Sequence, residues 1–122
     1  MRALLFLALI YPAMASANWL TGNDLLARCE SENSYDLREC IGYLRGVMDA
    51  HVALREWEGF MPKYCIPEGV TLGQIEAIVV KRLKENPERR HLIASSLVLN
   101  ALNNAFMPPL KFENGEPAFY CP

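Results

Sequence analysis

The sequence predicts an all-α protein: a compact bundle of four helices with two disulfides and an extended C-terminal tail. Three observations support this prediction. Apolar residues recur at intervals of three and four through most of the chain, which is the period of an amphipathic helix. Proline and glycine fall between these stretches, where they mark loops. The chain carries four cysteines behind an N-terminal export signal, a context in which disulfides persist.

Residues 1–17 are predicted to be a signal peptide. The apolar run Ala3–Tyr11 is followed by Ala-Ser-Ala ending at Ala17, the small-x-small pattern that signal peptidase reads, so cleavage is expected between Ala17 and Asn18. A membrane anchor is the alternative, but a span needs about 20 apolar residues, far more than this run provides. We therefore expect a single periplasmic domain over residues 18–122 with no membrane span after signal removal.

The charge balance argues against a nucleic-acid partner. The chain has 12 basic and 14 acidic residues and a formal net charge of −2. Arg2 leaves with the signal peptide, which makes the remaining chain more acidic still. Phosphate binding needs clustered lysine and arginine, and no strongly basic surface is implied by this composition.

Four helices are predicted from the apolar periodicity and from capping residues. Thr71 and Gln74 have the spacing of a capping box at the start of the third helix. Asn86 is expected to cap the fourth helix, with Pro87 in its first turn. The predicted helices cover about residues 21–29, 34–57 with a cap at Ser34 or Asp36, 71–86 and 87–106, and a small hairpin around Asn114-Gly115 is expected in the tail.

The second helix carries two stripes. Gly42 and Gly46 lie four residues apart in a stripe of small side chains. Because glycine within a helix costs about 1 kcal/mol relative to alanine, this spacing suggests that another helix crosses closely there. We expect that crossing inside the bundle, with packing across a dimer axis as the alternative. The predicted core stripe of this helix consists of Leu37, Ile41, Leu44, Met48 and Val52.

The four cysteines are expected to form two disulfides. Cys29 closes the first helix and Cys40 lies near the start of the second, so a short turn brings the two together. If the helices run up and down, the C-terminal tail starts near the loop that holds Cys65, which favours a Cys65–Cys121 bridge. Four cysteines allow three pairings, and the sequence alone does not exclude the other two.

The candidate catalytic residues indicate a binding protein rather than an enzyme. His51 lacks a second metal ligand at helical spacing and is expected to be packed or at the surface, and His91 is expected to be solvated. Ser95 and Ser96 are not surrounded by Gly-x-Ser-x-Gly, the motif of a nucleophilic serine. We expect no catalytic residue, no metal site and no cofactor.

The loop after the second helix is the candidate binding surface. Large apolar side chains are concentrated in it, and tryptophan, tyrosine and methionine are enriched in protein interfaces. The other interpretation is that the loop covers one end of the core. We expect a mixture, with the first of these residues directed inward and the loop tip partly exposed. The candidate contact residues are Trp57, Phe60, Met61, Lys63 and Tyr64.

Four segments together resemble the Rap/Tai immunity proteins of type VI secretion. The segment Cys40–Ala50 reads Cys-x-Gly-Tyr-Leu-x-Gly-Val-Met-Asp-Ala, and Cys65–Gln74 reads Cys-Ile-Pro-x-x-Val-Thr-x-x-Gln. The segment Lys84–His91, followed by Ala-Leu-x-x-Ala-Phe over residues 101–106, completes the pattern. One departure is visible, because members often end soon after that Ala-Phe with Pro-Cys, whereas here a longer tail follows.

The resemblance implies a small helical periplasmic protein, often a homodimer, that carries no catalytic residues. Such proteins bind and block a secreted cell-wall-degrading effector, commonly a peptidoglycan amidase, by sterically filling its active-site cleft. A stress protein or holdase that shields unfolded clients, or a structural protein of the envelope, is the alternative that the residues leave open.

Overall fold

The computed structural model describes residues 18–58, 64–107 and 110–119. It confirms the predicted helical bundle, and the tail contains a short β-hairpin. The predicted signal peptide, residues 1–17, lies outside the described residues. The elements in chain order are α1 (Gly22–Cys29), α2 (Ser34–Glu58), α3 (Leu72–Glu85), a 3-10 turn (Pro87–Arg89), α4 (Ala94–Ala105), β1 (Leu110–Glu113) and β2 (Glu116–Phe119).

Capping boxes fix the starts of α1 and α3. The Thr71 hydroxyl accepts a hydrogen bond from the Gln74 backbone N–H, and the Gln74 side chain accepts one from the Thr71 N–H at 2.8 Å. Thr21 and Asp24 make the same reciprocal pair at the start of α1. These hydrogen bonds satisfy backbone donors that have no partner within the helix. The predicted cap at Thr71 is therefore confirmed.

The cap of α2 differs from the prediction. Ser34 is the first helical residue rather than the cap, and Asp36 lies in the first turn. The side-chain oxygen of Asn33 accepts a hydrogen bond from the Tyr35 N–H at 2.8 Å, so Asn33 performs the capping role. Asp36 instead accepts a hydrogen bond from the Ser31 hydroxyl, which closes the turn between α1 and α2.

The start of α4 was predicted wrongly. Pro87 and the two residues after it form a 3-10 turn, and α4 begins only at Ala94. This part of the chain bonds to the first residue of α1 and to the segment before it: the Gly22 N–H donates to the Leu92 carbonyl at 3.0 Å, and the Ala94 N–H donates to the Leu20 carbonyl at 2.8 Å. Tertiary hydrogen bonds thus replace the local helical ones over residues 90–93.

The buried core lies between α1, α3, α4 and the first half of α2. The fully buried side chains of α2 are Cys40 and Leu44, whereas Val52, predicted to be in the core, is 43% exposed. The reason is length, because the 25 residues of α2 span about 37 Å, whereas the 14 of α3 and 12 of α4 span about 21 and 18 Å. The second half of α2 therefore extends past the core.

No helix within the described residues covers Gly42 and Gly46 of the small-residue stripe, so the predicted position of these glycines inside the bundle is wrong. Gly42 and Gly46 are both exposed. A Cβ atom added to either glycine would meet nothing within 4 Å. Close packing within the bundle consequently does not explain why glycine occupies these two positions.

The predicted Cys29–Cys40 disulfide is confirmed, and it joins the end of α1 to the first half of α2. Among the described residues no cysteine is a free thiol. Cys121, the predicted partner of Cys65, lies outside the described residues, so the Cys65–Cys121 bridge stays a prediction.

The predicted hairpin is also confirmed. β1 and β2 pair antiparallel around Asn114 and Gly115, which both have positive φ, as a tight two-residue turn requires.

Candidate functional site

The far end of α2 presents apolar side chains to solvent. Trp57, in the last turn, is 80% exposed, and Leu54 lies one turn before it and is about half exposed. Because α2 extends past the shorter helices, nothing in the described bundle covers these two side chains. Exposed tryptophan is uncommon on a small domain and is a preferred anchor in protein interfaces.

Tyr64 fixes the end of the loop to α2. Its ring stacks on the His51 ring with centroids 4.8 Å apart and an interplanar angle of 19°. Tyr64 is only 7% exposed, and burial raises the pKa of its phenol to about 12, with the positive charge of Arg55 opposing the shift. Burial disfavours the charged phenolate, which accounts for the direction of the shift.

The residue after Tyr64 is bonded to the end of α4. The Cys65 N–H donates a hydrogen bond to the Phe106 carbonyl at 2.9 Å. Ile66 and Met107, the residues that follow these two in the chain, are 37% and 64% exposed. The hydrogen bond thus joins two segments that are distant in sequence and that each carry an exposed apolar residue.

Two of the predicted contact residues, Trp57 and Tyr64, differ from the expectation. Trp57, expected to point inward, is exposed, and Tyr64, expected at an exposed tip, is buried. Phe60, Met61 and Lys63 lie outside the described residues. Of the described residues on either side of them, Trp57 lies in the last turn of α2 and Tyr64 is stacked on His51.

Three apolar residues at this end were not predicted. Leu54 is exposed because α2 is longer than the other helices. The sequence indicates this difference only when the predicted helices are compared with one another. Ile66 and Met107 each follow a residue of the backbone hydrogen bond between Cys65 and Phe106. No sequence signal marks that hydrogen bond.

The described residues do not form a metal site, because no group of three or more His, Cys, Asp or Glu side chains in this part of the chain could hold an ion. His51 is packed against Tyr64, which is one of the two environments expected for it, the other being the surface. His91 is exposed, as predicted, although it lies in the turn before α4 rather than in the helix. None of the helices in the described ranges combines the length and apolar character of a membrane span.

A comparison with protein families adds to this geometry. The family of Rap1a immunity proteins matches residues 21–107, more than two thirds of the chain. The chain belongs to this family. The match covers α1 to α4 and ends before the C-terminal hairpin. No curated protein and no solved structure matches the chain significantly. Membership of the Rap1a family supports a role in immunity against a type VI secretion effector, and it favours a non-enzymatic inhibitor.

Proposed function

We propose that this Rap1a-family protein is a periplasmic immunity protein that binds and blocks a peptidoglycan-cleaving effector of the amidase type. The observation that supports the proposal best is the exposed apolar end of α2, where Trp57 is 80% exposed and Leu54 is about half exposed. An inhibitor needs such a surface, because burial of an aromatic anchor supplies much of the binding free energy in protein complexes.

The proposed inhibition is steric. Trp57 lies in the last turn of α2, and Tyr64 is stacked on His51 of the same helix, so the described residues on both sides of Phe60, Met61 and Lys63 belong to the fold. In the proposal, Phe60, Met61 and Lys63 enter the effector's cleft and exclude substrate, while Trp57 packs at the rim. No proton transfer by the immunity protein is required.

The location follows from the predicted signal peptide. Cleavage between Ala17 and Asn18 would release the protein into the periplasm, which is where a peptidoglycan-cleaving effector acts. The Cys29–Cys40 disulfide fits this location, because disulfides are maintained in the periplasm and reduced in the cytoplasm. We also propose that the protein forms a homodimer.

The experiment that tests the proposal is isolation of the partner, followed by an inhibition assay. The oxidised protein, immobilised, is exposed to secreted and periplasmic fractions, and any stoichiometric partner is assayed on purified peptidoglycan with and without the protein. Products cut between glycan and peptide, or within the peptide, identify an amidase-type effector, and loss of these products on binding supports the proposal. Products cut within the glycan would reject the amidase assignment while keeping immunity.

Retention of many unrelated unfolded proteins, with no stoichiometric partner, would instead indicate a holdase. Exposed apolar residues such as Leu54 and Trp57 bind unfolded clients as well as a folded effector. The number of partners and the inhibition of a single enzymatic activity separate these two functions.

A further inference from the structure

A small recess lies where the end of α3 and the turn after it meet the middle of α4. Its volume of about 10 Å³ is room for about one water-sized group. The buried part of its lining is apolar, because Leu83 and Leu97 are 3% and 8% exposed. The remaining lining side chains are basic or amide-bearing, and none is acidic: Arg82, Asn86, Arg89 and Asn100.

Arg82 has hydrogen-bond donors to spare at this recess. Its side chain is half-buried, and a guanidinium group carries five N–H donors. Among the described residues, the Arg82 side chain donates one hydrogen bond, from Nη2 to the Asn100 side-chain oxygen at 3.4 Å. This distance exceeds about 3.2 Å, the upper end of the usual range. A half-buried guanidinium with one long hydrogen bond has donors left for an acceptor from outside the chain.

The charge of the recess is not balanced by a nearby carboxylate. Lys81, in the same turn of α3, pairs with Glu85 at 3.9 Å. Neither Arg82 nor Arg89 forms an ion pair within the described residues. Glu88, the neighbour of Arg89 in the sequence, does not line the recess. Two guanidinium groups thus share this recess without an acidic side chain between them.

The two asparagines make the lining richer in donors than in acceptors. The Asn100 side-chain oxygen already accepts hydrogen bonds from Arg82 and from the Asn104 amide at 3.3 Å. The Asn100 amide N–H groups make no hydrogen bond within the described residues. The Asn86 amide donates to the Arg82 carbonyl at 2.8 Å, which fixes Asn86 against the last turn of α3. Such a lining suits an anion rather than a cation.

We infer that this recess binds a single carboxylate group. A carboxylate matches the fork of a guanidinium through two parallel hydrogen bonds, and one carboxylate oxygen matches the size of the recess. Arg89 is exposed and therefore lies at the mouth, where it meets the second oxygen. The buried apolar lining strengthens these hydrogen bonds by lowering the local dielectric. The site goes beyond the proposed function, because it shares no residue with the apolar end of α2.

Titration of the oxidised protein with sodium acetate, followed by NMR at constant ionic strength, tests the site. Acetamide is the matched probe, because it has the shape of acetate without its charge. We expect acetate to shift the Nε–H signals of Arg82 and Arg89 and the side-chain amide signals of Asn100 until they saturate, whereas acetamide should leave them in place. Arg82→Gln and Arg89→Gln should each weaken acetate binding about 10-fold, the loss expected when a hydrogen bond to a charged group is removed.

Lys81→Gln is the control variant, because it removes the same charge from an exposed side chain of α3 that does not line the recess. It should bind acetate like the wild type. Arg89 is exposed, so Arg89→Gln keeps the test valid even if loss of the Arg82–Asn100 hydrogen bond unfolds the other variant, which circular dichroism would show. The inference is overturned if the shifts do not saturate, if acetamide reproduces them, or if Lys81→Gln weakens binding as much as Arg89→Gln does.

A second pair of probes identifies the source of the carboxylate. Glutamate blocked at its amino and α-carboxyl groups represents an acidic side chain of a protein, and glutamine blocked in the same way is its neutral control. Tighter binding of blocked glutamate than of acetate indicates that the site takes an acidic side chain of a protein partner. Equal or weaker binding indicates a small free carboxylate. Binding of blocked glutamine as tightly as blocked glutamate would overturn the inference, because recognition would then not depend on the carboxylate.

Discussion

The ring of Tyr64 lies stacked on the ring of His51, with centroids 4.8 Å apart. This contact joins a residue in the middle of α2 to the first described residue after the candidate binding loop. Tyr64 therefore packs against the second half of α2, the same half that carries Trp57. The surface proposed to bind the effector therefore depends on a buried residue that need not touch the effector itself.

Tyr64→Ala should destabilise the protein by about 3 kcal/mol, because truncating a buried aromatic side chain removes its packing and leaves a cavity. Tyr64→Phe keeps the ring and should cost about 1 kcal/mol or less. Urea unfolding followed by circular dichroism measures both. Equal losses for the two variants would show that the stacked ring does not supply the stability.

The raised pKa of Tyr64 predicts that stability falls in alkaline solution. The phenol has a pKa of about 12 in the folded protein against its ordinary value of 10. Between these values the unfolded chain loses the proton first, so the contribution of Tyr64 is complete below pH 10 and is lost as pH rises through 12. A pKa difference of this size limits the contribution to about 3 kcal/mol.

Tyr64→Phe provides the control for this titration. The variant lacks the phenol, so its unfolding free energy should fall less than that of the wild type between about pH 9 and pH 11, while the other titrating groups remain the same in both proteins. The same pH dependence in wild type and variant would show that Tyr64 ionises as readily in the folded state as in the unfolded one.

Local signals predicted the helix starts that depend on neighbouring residues, and they failed where distant segments decide. The Thr71–Gln74 capping box needs only four consecutive residues and was predicted correctly. The start of α4 depends on hydrogen bonds to Leu20 and Gly22, some 70 residues away, and was missed. Val52 has the spacing of a core residue, yet the other helices are too short to cover it.

The same reasoning applies to the candidate site. The concentration of large apolar residues indicated the correct region of the chain. The orientation of Trp57 and Tyr64 could not be predicted, because both are aromatic and both fit either environment. The stack on His51 decides which one is buried, and it is a tertiary contact across 13 residues.

Among the described glycines, Gly22 has the least room for a side chain. A Cβ atom there would lie 2.5 Å from a terminal carbon of Leu97 and 3.0 Å from the backbone carbonyl oxygen of Arg90. The Leu97 side chain can move, but the Arg90 backbone is held by its hydrogen bond from the Asn23 N–H. Gly22→Ala should therefore destabilise the protein by about 1–3 kcal/mol, as other overpacked sites do.

Gly73→Ala is the matched substitution at an uncrowded helical site. The nearest atom to its added Cβ is the Thr71 hydroxyl oxygen at 3.9 Å, an ordinary contact. Alanine has the higher helix propensity, so this variant should be neutral or more stable by up to about 1 kcal/mol. Thermal and urea unfolding compare the two. Equal effects of both substitutions would contradict the close approach at Gly22.

Trp57→Ala should weaken effector binding without affecting the fold. The side chain is 80% exposed, so its removal should change the unfolding free energy by less than about 0.5 kcal/mol. If it is the interface anchor, affinity should fall by about 2 kcal/mol or more, which is roughly 30-fold. Titration calorimetry with the isolated effector measures this loss.

Trp19→Ala is the control for this measurement. Trp19 is 79% exposed, almost the same as Trp57, so the two variants remove nearly equal apolar surface from contact with solvent. It precedes the segment that bonds to residues 90–94 at the start of α4, whereas the loop after Trp57 returns to the end of α4 at Phe106. Loss of affinity in Trp57→Ala alone locates the effector at the far end of α2. The reverse pattern would move the interface to the start of α1, and equal small losses would indicate weak apolar adhesion rather than a defined anchor.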